Sequence, residues 1–200
     1  MCAAHCKQAI NQWTAGAGSI NINGQRQNKS GSTQLQHPEY RSSTFDYDYM
    51  ILTIQGSWKY DDYVQPIKIV NPSNSELPNN TPCQSSGYGY TTHILSEPGV
   101  IASTLQWMDI SCITIEECKN VWVHQVVTPR MQCASTDGVT SCMGDSGGPL
   151  TVNEDGEVRL LGNVSWGHSK CGVNKYPAAY SNNAEPSANS WIKSNAQLDY

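Results

Sequence analysis

The chain has 200 residues, of which 14% are charged, and its formal net charge is −5 at pH 7. This length suits one large domain or two small ones, with enough chain to bury a core, while the acidic balance and the lack of a Lys/Arg cluster argue against a nucleic-acid partner. Because no apolar run approaches the roughly 20 residues of a membrane-spanning helix, the sequence predicts no membrane partner either.

Short apolar segments that favour β-structure dominate the chain, and residues that form turns separate them. In chain order, we predict strands at residues 49–54, 66–70, 94–95, 100–108, 159–166 and 178–180. Helices are predicted only at residues 116–123 and after Pro186, where Ser187 stands at the N-cap position. Many short strands with frequent turns are typical of an all-β barrel or sandwich.

The cysteines are scattered along the chain, at positions 2, 6, 83, 112, 118, 133, 142 and 171. Scatter of this kind favours disulfides formed in an oxidising compartment over a four-ligand zinc site. Glycosylation sequons at Asn28 and Asn79 point in the same direction. Cys2, His5 and Cys6 nevertheless stand close together and are residue types that zinc binds, so a local zinc cluster is an alternative hypothesis.

The string TSCMGDSGGPL at residues 140–150 carries the strongest chemical signal in the sequence. Its central part also satisfies G-x-S-x-G, the nucleophile elbow of α/β-hydrolases. That fold requires strand–helix alternation around the serine, which the residues flanking Ser146 do not show. A Gly-rich surface turn without chemistry is the other alternative for the Asp-Ser-Gly-Gly core alone.

The whole string resembles the nucleophile loop of the chymotrypsin-like (trypsin-family) serine endopeptidases. Residues 3–6 read AAHC, as in the histidine motif of that family, and HPEY at 37–40 leads to an acid followed by an apolar strand. Residues 83–89 resemble the strand that opens the second barrel, and VSWG at 164–167 resembles the substrate-binding strand. The resemblance therefore extends over most of the chain and keeps the family's order of histidine, aspartate and serine.

This resemblance implies an all-β fold of two six-stranded antiparallel β-barrels with a C-terminal helix. It makes residues 1–200 a single peptidase domain: 1–70 the remainder of the first barrel, 71–82 a connection, 83–185 the second barrel and 186–200 the helix. We expect the first barrel to be incomplete and the chain to be N-terminally truncated. The sequence has no visible signal peptide, no Ile-Val-Gly-Gly-like start and no strands ahead of the histidine.

The resemblance implies a catalytic triad in which Ser146 is the nucleophile, His5 the general base and Asp48 the orienting acid. Asp46 competes for the role of the acid, but the apolar positions of the family pattern follow Asp48. With Asp46 as the acid, Asp48 would be a charge inside a strand, which is costly unless it is paired. The backbone N–H groups of Gly144 and Ser146 form the implied oxyanion hole, and the reaction needs no metal or cofactor.

The resemblance also implies the residues that bind substrate, which are Thr140, Met143, Ser165, Trp166, Gly167 and Ala178. Thr140, at the base of the primary pocket, cannot pair with a Lys or Arg side chain. We therefore expect cleavage after Tyr, Phe, Leu or Met, with an elastase-like preference for small residues as the competing hypothesis. Ser165 is expected to support the buried aspartate as well.

Family pairing implies two disulfides, Cys118–Cys133 and Cys142–Cys171. A bridge between Cys83 and Cys112 is a further hypothesis. Cys6 is expected to pair with a cysteine on an earlier strand that the sequence does not contain, and Cys2 to be a buried thiol.

The aspartate before the nucleophile, here Asp145, pairs in the resembled family with an amine freed by cleavage. Since that amine lies outside the sequence, we expect Asp145 to be an unpaired buried charge and the 200-residue chain to be inactive.

Expected partners are protein or peptide substrates and protein protease inhibitors, with no nucleic acid and no membrane. The protein is expected to be a secreted, extracellular monomer. The alternative function is an inactive protease homologue that acts as a secreted binding module. Against that alternative, all three triad residues are present.

Overall fold

The computed structural model describes residues 1–9, 12–74, 76–91, 99–173 and 175–196. The strands within these ranges are β1 (Thr14–Ala17), β2 (Gln27–Gln36), β3 (Met50–Ile54), β4 (Thr81–Gly87), β5 (Gln106–Ile113), β6 (Met131–Ser135), β7 (Pro149–Glu154), β8 (Glu157–Trp166) and β9 (Ala178–Asn182). The helices are a 3₁₀ turn (Ala4–Cys6), α1 (Ile115–Val121) and α2 (Pro186–Asn195). No helix in the described ranges has the length and apolar character needed to span a membrane.

The first part of the chain forms a three-stranded antiparallel sheet in the order β1-β2-β3. Outside this sheet, Cys2 and Met50 exchange two backbone hydrogen bonds of 2.8 Å each. The bridge ties the segment that carries His5 to the start of β3, two residues after Asp48. Backbone pairing therefore helps to bring two of the predicted catalytic residues together.

The second part of the chain forms a closed six-stranded antiparallel barrel in the order β4-β5-β6-β9-β8-β7. Its interior is filled by fully buried side chains such as Leu150, Leu161 and Tyr180. Six consecutive residues near the end of β8 are buried, as expected for a strand that is covered on both faces. The predicted all-β fold class, with a C-terminal helix, is confirmed.

Helix α2 packs Ala188 and Ile192 against Tyr49 and so lies across both parts of the chain. The predicted N-cap at Ser187 is wrong, because the helix begins at Pro186 and its N-cap is Glu185. The carboxylate of Glu185 accepts a 2.8 Å hydrogen bond from the backbone N–H of Ala188. Proline suits the first helical position, where its missing N–H costs nothing.

The apolar runs locate some strands and miss others. The predicted strand at residues 66–70 is wrong, since only Ile69 pairs there, in a single bridge to Leu160. The strand predicted at 100–108 begins at Gln106, and the one at 94–95 lies outside the described residues. Apolar runs did not predict β2, whose sequence QNKSGSTQLQ contains almost no apolar residues.

Candidate active site

The carboxylate of Asp48 holds the imidazole of His5. His5 Nδ1 lies 2.7 Å from Asp48 Oδ2, and the backbone N–H of His5 donates to Asp48 Oδ1 at 2.8 Å. The hydrogen bond to Asp48 raises the pKa of His5 above its ordinary value, although burial of the ring acts in the opposite direction. With Nδ1–H bound in this way, Nε2 is the nitrogen left to accept a proton.

Asp48 is itself held by the closed barrel. Ser165, near the end of β8, donates its hydroxyl to Asp48 Oδ2 at 2.5 Å, and Ser181 of β9 donates to the backbone carbonyl of Asp48 at 2.8 Å. The next residue, Tyr49, donates its hydroxyl to a backbone carbonyl of β9 at 2.7 Å. The buried acid is thus fixed to the barrel that carries the predicted nucleophile.

Ser146 lies in a tight turn in front of β7. The turn covers residues 145–148 and is closed by a 2.8 Å hydrogen bond between the backbone groups of its first and last residues. Gly147 has φ +78°, the conformation that a type II turn needs at its third position. A Cβ at Gly147 would overlap Cys2 Sγ, so the serine turn packs directly on the segment that leads into His5.

The backbone N–H groups of Gly144 and Ser146 have no acceptor within the part of the chain that the structure describes. Both residues are exposed, and Gly144 adopts φ +95° where its backbone approaches that of Gly89. Free donors beside an exposed serine are what the stabilisation of an oxyanion requires. The two donors of the implied oxyanion hole therefore have no acceptor among the described residues.

Ser146 Oγ also has no hydrogen-bond partner among the described residues, so the bond between His5 and the serine hydroxyl is not formed in this structure. Such bonds are often long before substrate binds and shorten in the complex. The structure brings His5 and Asp48 into direct contact, and the turn that carries Ser146 packs on Cys2, in the segment that leads into His5.

The similarity of the chain to known proteins shows which protein family it belongs to. The family model described as Trypsin matches residues 1–192. The chain belongs to the trypsin family.

Several relatives in this family are similar over nearly the whole chain. Human kallikrein-14 (Homo sapiens) is 32% identical over 194 residues, which cover 96% of the chain and 68% of the relative. Transmembrane protease serine 9 of Rattus norvegicus is 34% identical over 188 residues, 89% of the chain but only 17% of that protease. The solved structure of neuropsin, a serine protease expressed in mouse brain, superposes with a TM-score of 0.81 at 28% identity, covering 96% of the chain and 82% of neuropsin.

Among the substrate-binding residues implied by the trypsin-family resemblance, Gly167 and Ala178 lie face to face. A Cβ at Gly167 would be 3.8 Å from the Ala178 Cβ, an ordinary van der Waals contact. Thr140 is half-buried, and its hydroxyl accepts a 3.0 Å hydrogen bond from the backbone N–H of Gly172. The neighbouring Ser141 hydroxyl is hydrogen-bonded to the hydroxyl of the buried Tyr180 at 2.7 Å.

An aromatic cluster includes Trp166, one of the predicted substrate-binding residues. The sequence predicted only part of this cluster. Trp166 packs its ring edge-on against Trp122 with 5.1 Å between ring centroids. His168 stacks on Tyr176 at 4.6 Å, and its Nδ1 accepts a hydrogen bond from the backbone N–H of Lys170 at 3.0 Å. Met143 stands apart from the cluster, on the serine loop, with 47% of its surface exposed.

Asp145 departs from the sequence-based expectation. Its Oδ1 accepts from the backbone N–H of Gly89 at 2.8 Å, and its Oδ2 accepts from that of Cys142 at 2.9 Å. A Cβ at Gly87 or Gly89 would overlap the carboxylate, which therefore needs glycine at both positions. Asp145 is half-buried rather than fully buried, and these two bonds satisfy its carboxylate, but no cationic side chain in the described ranges pairs with it. A cavity of about 310 Å³ adjoins it and reaches Thr140.

The structure contains the disulfides Cys83–Cys112, Cys118–Cys133 and Cys142–Cys171. Cys2 and Cys6 form no disulfide within the described ranges. The hydrogen bond with Cys6 lowers the pKa of Cys2 to about 7, and the same bond raises the pKa of Cys6. No group of three His, Cys, Asp or Glu side chains in the described residues is placed to hold a metal ion.

Asp46, the rival acid, has a different set of partners from Asp48. Its carboxylate receives hydrogen bonds from Arg130 and Thr128 in the loop before β6. Burial raises the pKa of Asp46, but these bonds outweigh burial and leave the pKa lowered. The contact joins residues 84 positions apart, so no local pattern in the sequence could reveal it.

Proposed function

We propose that this chain is a serine endopeptidase that hydrolyses peptide bonds through an acyl-enzyme on Ser146. His5 acts as the general base and Asp48 orients it. The observation that carries this proposal is the partly buried hydrogen bond of 2.7 Å between Asp48 and His5. The turn that contains Ser146 packs on Cys2, in the segment that leads into His5. Membership of the trypsin family supports the same reaction class.

In the first step, Ser146 Oγ attacks the substrate carbonyl while His5 Nε2 takes the hydroxyl proton. Asp48 stabilises the resulting imidazolium, consistent with the raised pKa of His5. The N–H groups of Gly144 and Ser146 bind the oxyanion; losing one such donor typically costs about 3–4 kcal/mol of barrier. His5 then protonates the leaving amine, and water attacks the acyl group by the reverse sequence of proton transfers.

We further propose that the 200-residue chain itself is active. The expectation of inactivity rested on the missing amine partner of Asp145. The carboxylate is half-buried and accepts two backbone hydrogen bonds, which lower the cost of that missing partner and so support activity. The inactive binding module remains the alternative function.

Labelling by a fluorophosphonate probe tests the reaction. We expect the unmodified chain to be labelled and S146A to be unlabelled, because only an activated serine reacts with the probe. The matched control is S57A, which changes an exposed serine distant from Ser146 in the sequence. We expect S57A to be labelled like the unmodified protein. A folded but unlabelled unmodified chain would favour the binding-module alternative.

We propose a preference for large apolar or aromatic residues at the P1 position, with small residues as the competing choice. The uncharged Thr140 at the pocket base and the small pair Gly167 and Ala178 support this preference. Peptidyl-aminomethylcoumarin substrates that end in Phe, Leu, Val or Arg provide the measurement. We expect Phe and Leu cleavage to exceed Arg cleavage at least tenfold, and T140D to gain Arg cleavage by supplying a carboxylate. Predominant Arg cleavage by the unmodified chain would refute the preference.

We also propose that the protein acts as an extracellular monomer on protein or peptide substrates and is subject to protein protease inhibitors. The three disulfides and the kallikrein relative support an extracellular setting.

A further inference from the structure

An ion pair joins the loop in front of Asp48 to the closed barrel. Arg130 Nε lies 2.7 Å from Asp46 Oδ1, and Arg130 Nη2 lies 2.9 Å from Oδ2, so the guanidinium binds the carboxylate through two bonds. The Thr128 hydroxyl adds a third bond of 2.8 Å. The Arg130 and Asp46 side chains are 21% and 8% exposed, which protects the pair from screening. We call Asp46, Thr128 and Arg130 the Asp46 clamp.

The clamp acts on a loop whose backbone is strained. Phe45 has φ +56° and Tyr47 has φ +53°, so both neighbours of Asp46 are non-glycine residues in the left-handed region. Such residues persist only when their surroundings hold them in place. The Asp46 clamp holds the residue between them, and the Arg130 guanidinium also lies 4.6 Å from the centre of the Tyr47 ring.

The same loop contacts His5 from two sides. The Phe45 ring meets the His5 ring edge-on, with 5.6 Å between centroids and an angle of 82° between planes. Asp48 binds His5 Nδ1 at 2.7 Å. A change in the backbone at residues 45–47 would therefore move both contacts that set the orientation of the imidazole.

Within the described residues, the Asp46 clamp is the hydrogen-bonded link from residues 41–47 to the closed barrel. The barrel carries Ser146, while the loop carries the groups that aim His5. The clamp thus adds a second connection between this loop and the barrel, beside the bonds that Ser165 and Ser181 make to Asp48.

We propose that Asp46 is a positioning residue whose clamp to Thr128 and Arg130 holds the strained loop that aims His5 at Ser146. This inference rests on the serine endopeptidase function proposed above.

Replacing Asp46 with asparagine (D46N) tests the clamp, because the side chain keeps its size and loses its charge. We expect kcat to fall at least tenfold while KM stays within about twofold, since no clamp residue touches substrate. Asp48 and Cys2 both raise the pKa of His5, and a looser loop weakens the first of these effects. The acidic limb of the pH profile of kcat should therefore move to lower pH.

Further variants separate positioning from general destabilisation. R130Q should reproduce D46N, and the double variant D46N/R130Q should lose no more activity than either single variant, because all three break the same pair. R130K keeps the charge but not the two-pronged geometry, and we expect it to recover only part of the activity. E157Q is the matched control: it disrupts the pairs that the exposed Glu157 forms with Lys68 at 2.8 Å and with Arg159 at 2.9 Å, and it should leave kcat unchanged.

Two readouts distinguish a failure of the clamp proposal from a failure of the proposed function. A histidine-ring NMR titration measures the pKa of His5 without turnover, so the clamp is tested even in a chain that the fluorophosphonate does not label. If D46N does not fold, T128V removes one bond of the clamp and should show the same shift to a smaller extent. Folded D46N or T128V with the unmodified protein's His5 pKa overturns the clamp, whereas an unlabelled unmodified chain refutes the proposed function alone.

Discussion

Replacing Asp48 with asparagine (D48N) is expected to lower kcat about 10⁴-fold, the size of effect that the equivalent change has in the best-characterised triads of this kind. An amide in place of the carboxylate cannot stabilise the imidazolium of His5, and it can present an N–H to Nδ1, which favours the wrong tautomer. Because the 2.7 Å contact with Asp48 raises the pKa of His5, the acidic limb of the activity profile should also move to lower pH.

Steady-state kinetics across pH provide the measurement, and circular dichroism checks that D48N is folded. S165A is a graded companion, since it removes one hydrogen bond from the same carboxylate and should reduce kcat far less. D46N should fall between them. If D48N retained more than a tenth of the activity while D46N lost nearly all of it, Asp46 would be the acid.

Replacing Gly147 with alanine (G147A) should both destabilise the protein and abolish catalysis. A left-handed backbone costs a non-glycine residue about 1–2 kcal/mol, and Gly147 has φ +78°. The new Cβ would also overlap Cys2 Sγ, and overpacking of this kind costs about 1–3 kcal/mol more. Separating the serine turn from the His5 segment should reduce kcat/KM at least 100-fold.

The chain offers a close control for this change. Gly156 has φ +85°, but no atom lies within 4 Å of a Cβ at that position. G156A therefore carries the backbone cost without the overlap, and we expect a loss of about 1–2 kcal/mol in the free energy of unfolding with normal catalysis. Chemical denaturation and substrate kinetics on both variants test the argument. Equal loss of activity in the two variants would mean that packing on Cys2 does not position Ser146.

The triad residues could be proposed from the sequence because each lies in a short motif whose neighbours are fixed along the chain. AAHC contains His5, and GDSGG contains Ser146 together with the glycines that its turn requires. Asp48 was harder, because Asp46 stands two positions away. The structure places both carboxylates out of water, and what separates them is the partner of each: His5 for Asp48 and Arg130 for Asp46.

The features that the sequence did not predict depend on contacts between distant residues or on pairing without an apolar pattern. Ser181 reaches Asp48 across 133 positions, and the Asp145 carboxylate is satisfied by the backbone of Gly89. Strand β2 lies between β1 and β3 and is held by hydrogen bonds to both. Its sequence is polar and lacks the alternation of apolar and polar residues from which a strand is predicted.

The proposed triad is divided between the first part of the chain, which carries His5 and Asp48, and the second part, which carries Ser146 in front of β7. This division has a consequence for the order of folding. Asp48 meets Ser165 across 117 positions in the chain, and contacts of such separation require the closure of a long loop, which is slow compared with local pairing. The base, its acid and the nucleophile can therefore meet only after both parts have formed and docked. Under the proposed function, a newly made or partly folded chain has no assembled centre with which to cut its neighbours, and proteolytic activity arises only with the finished tertiary structure.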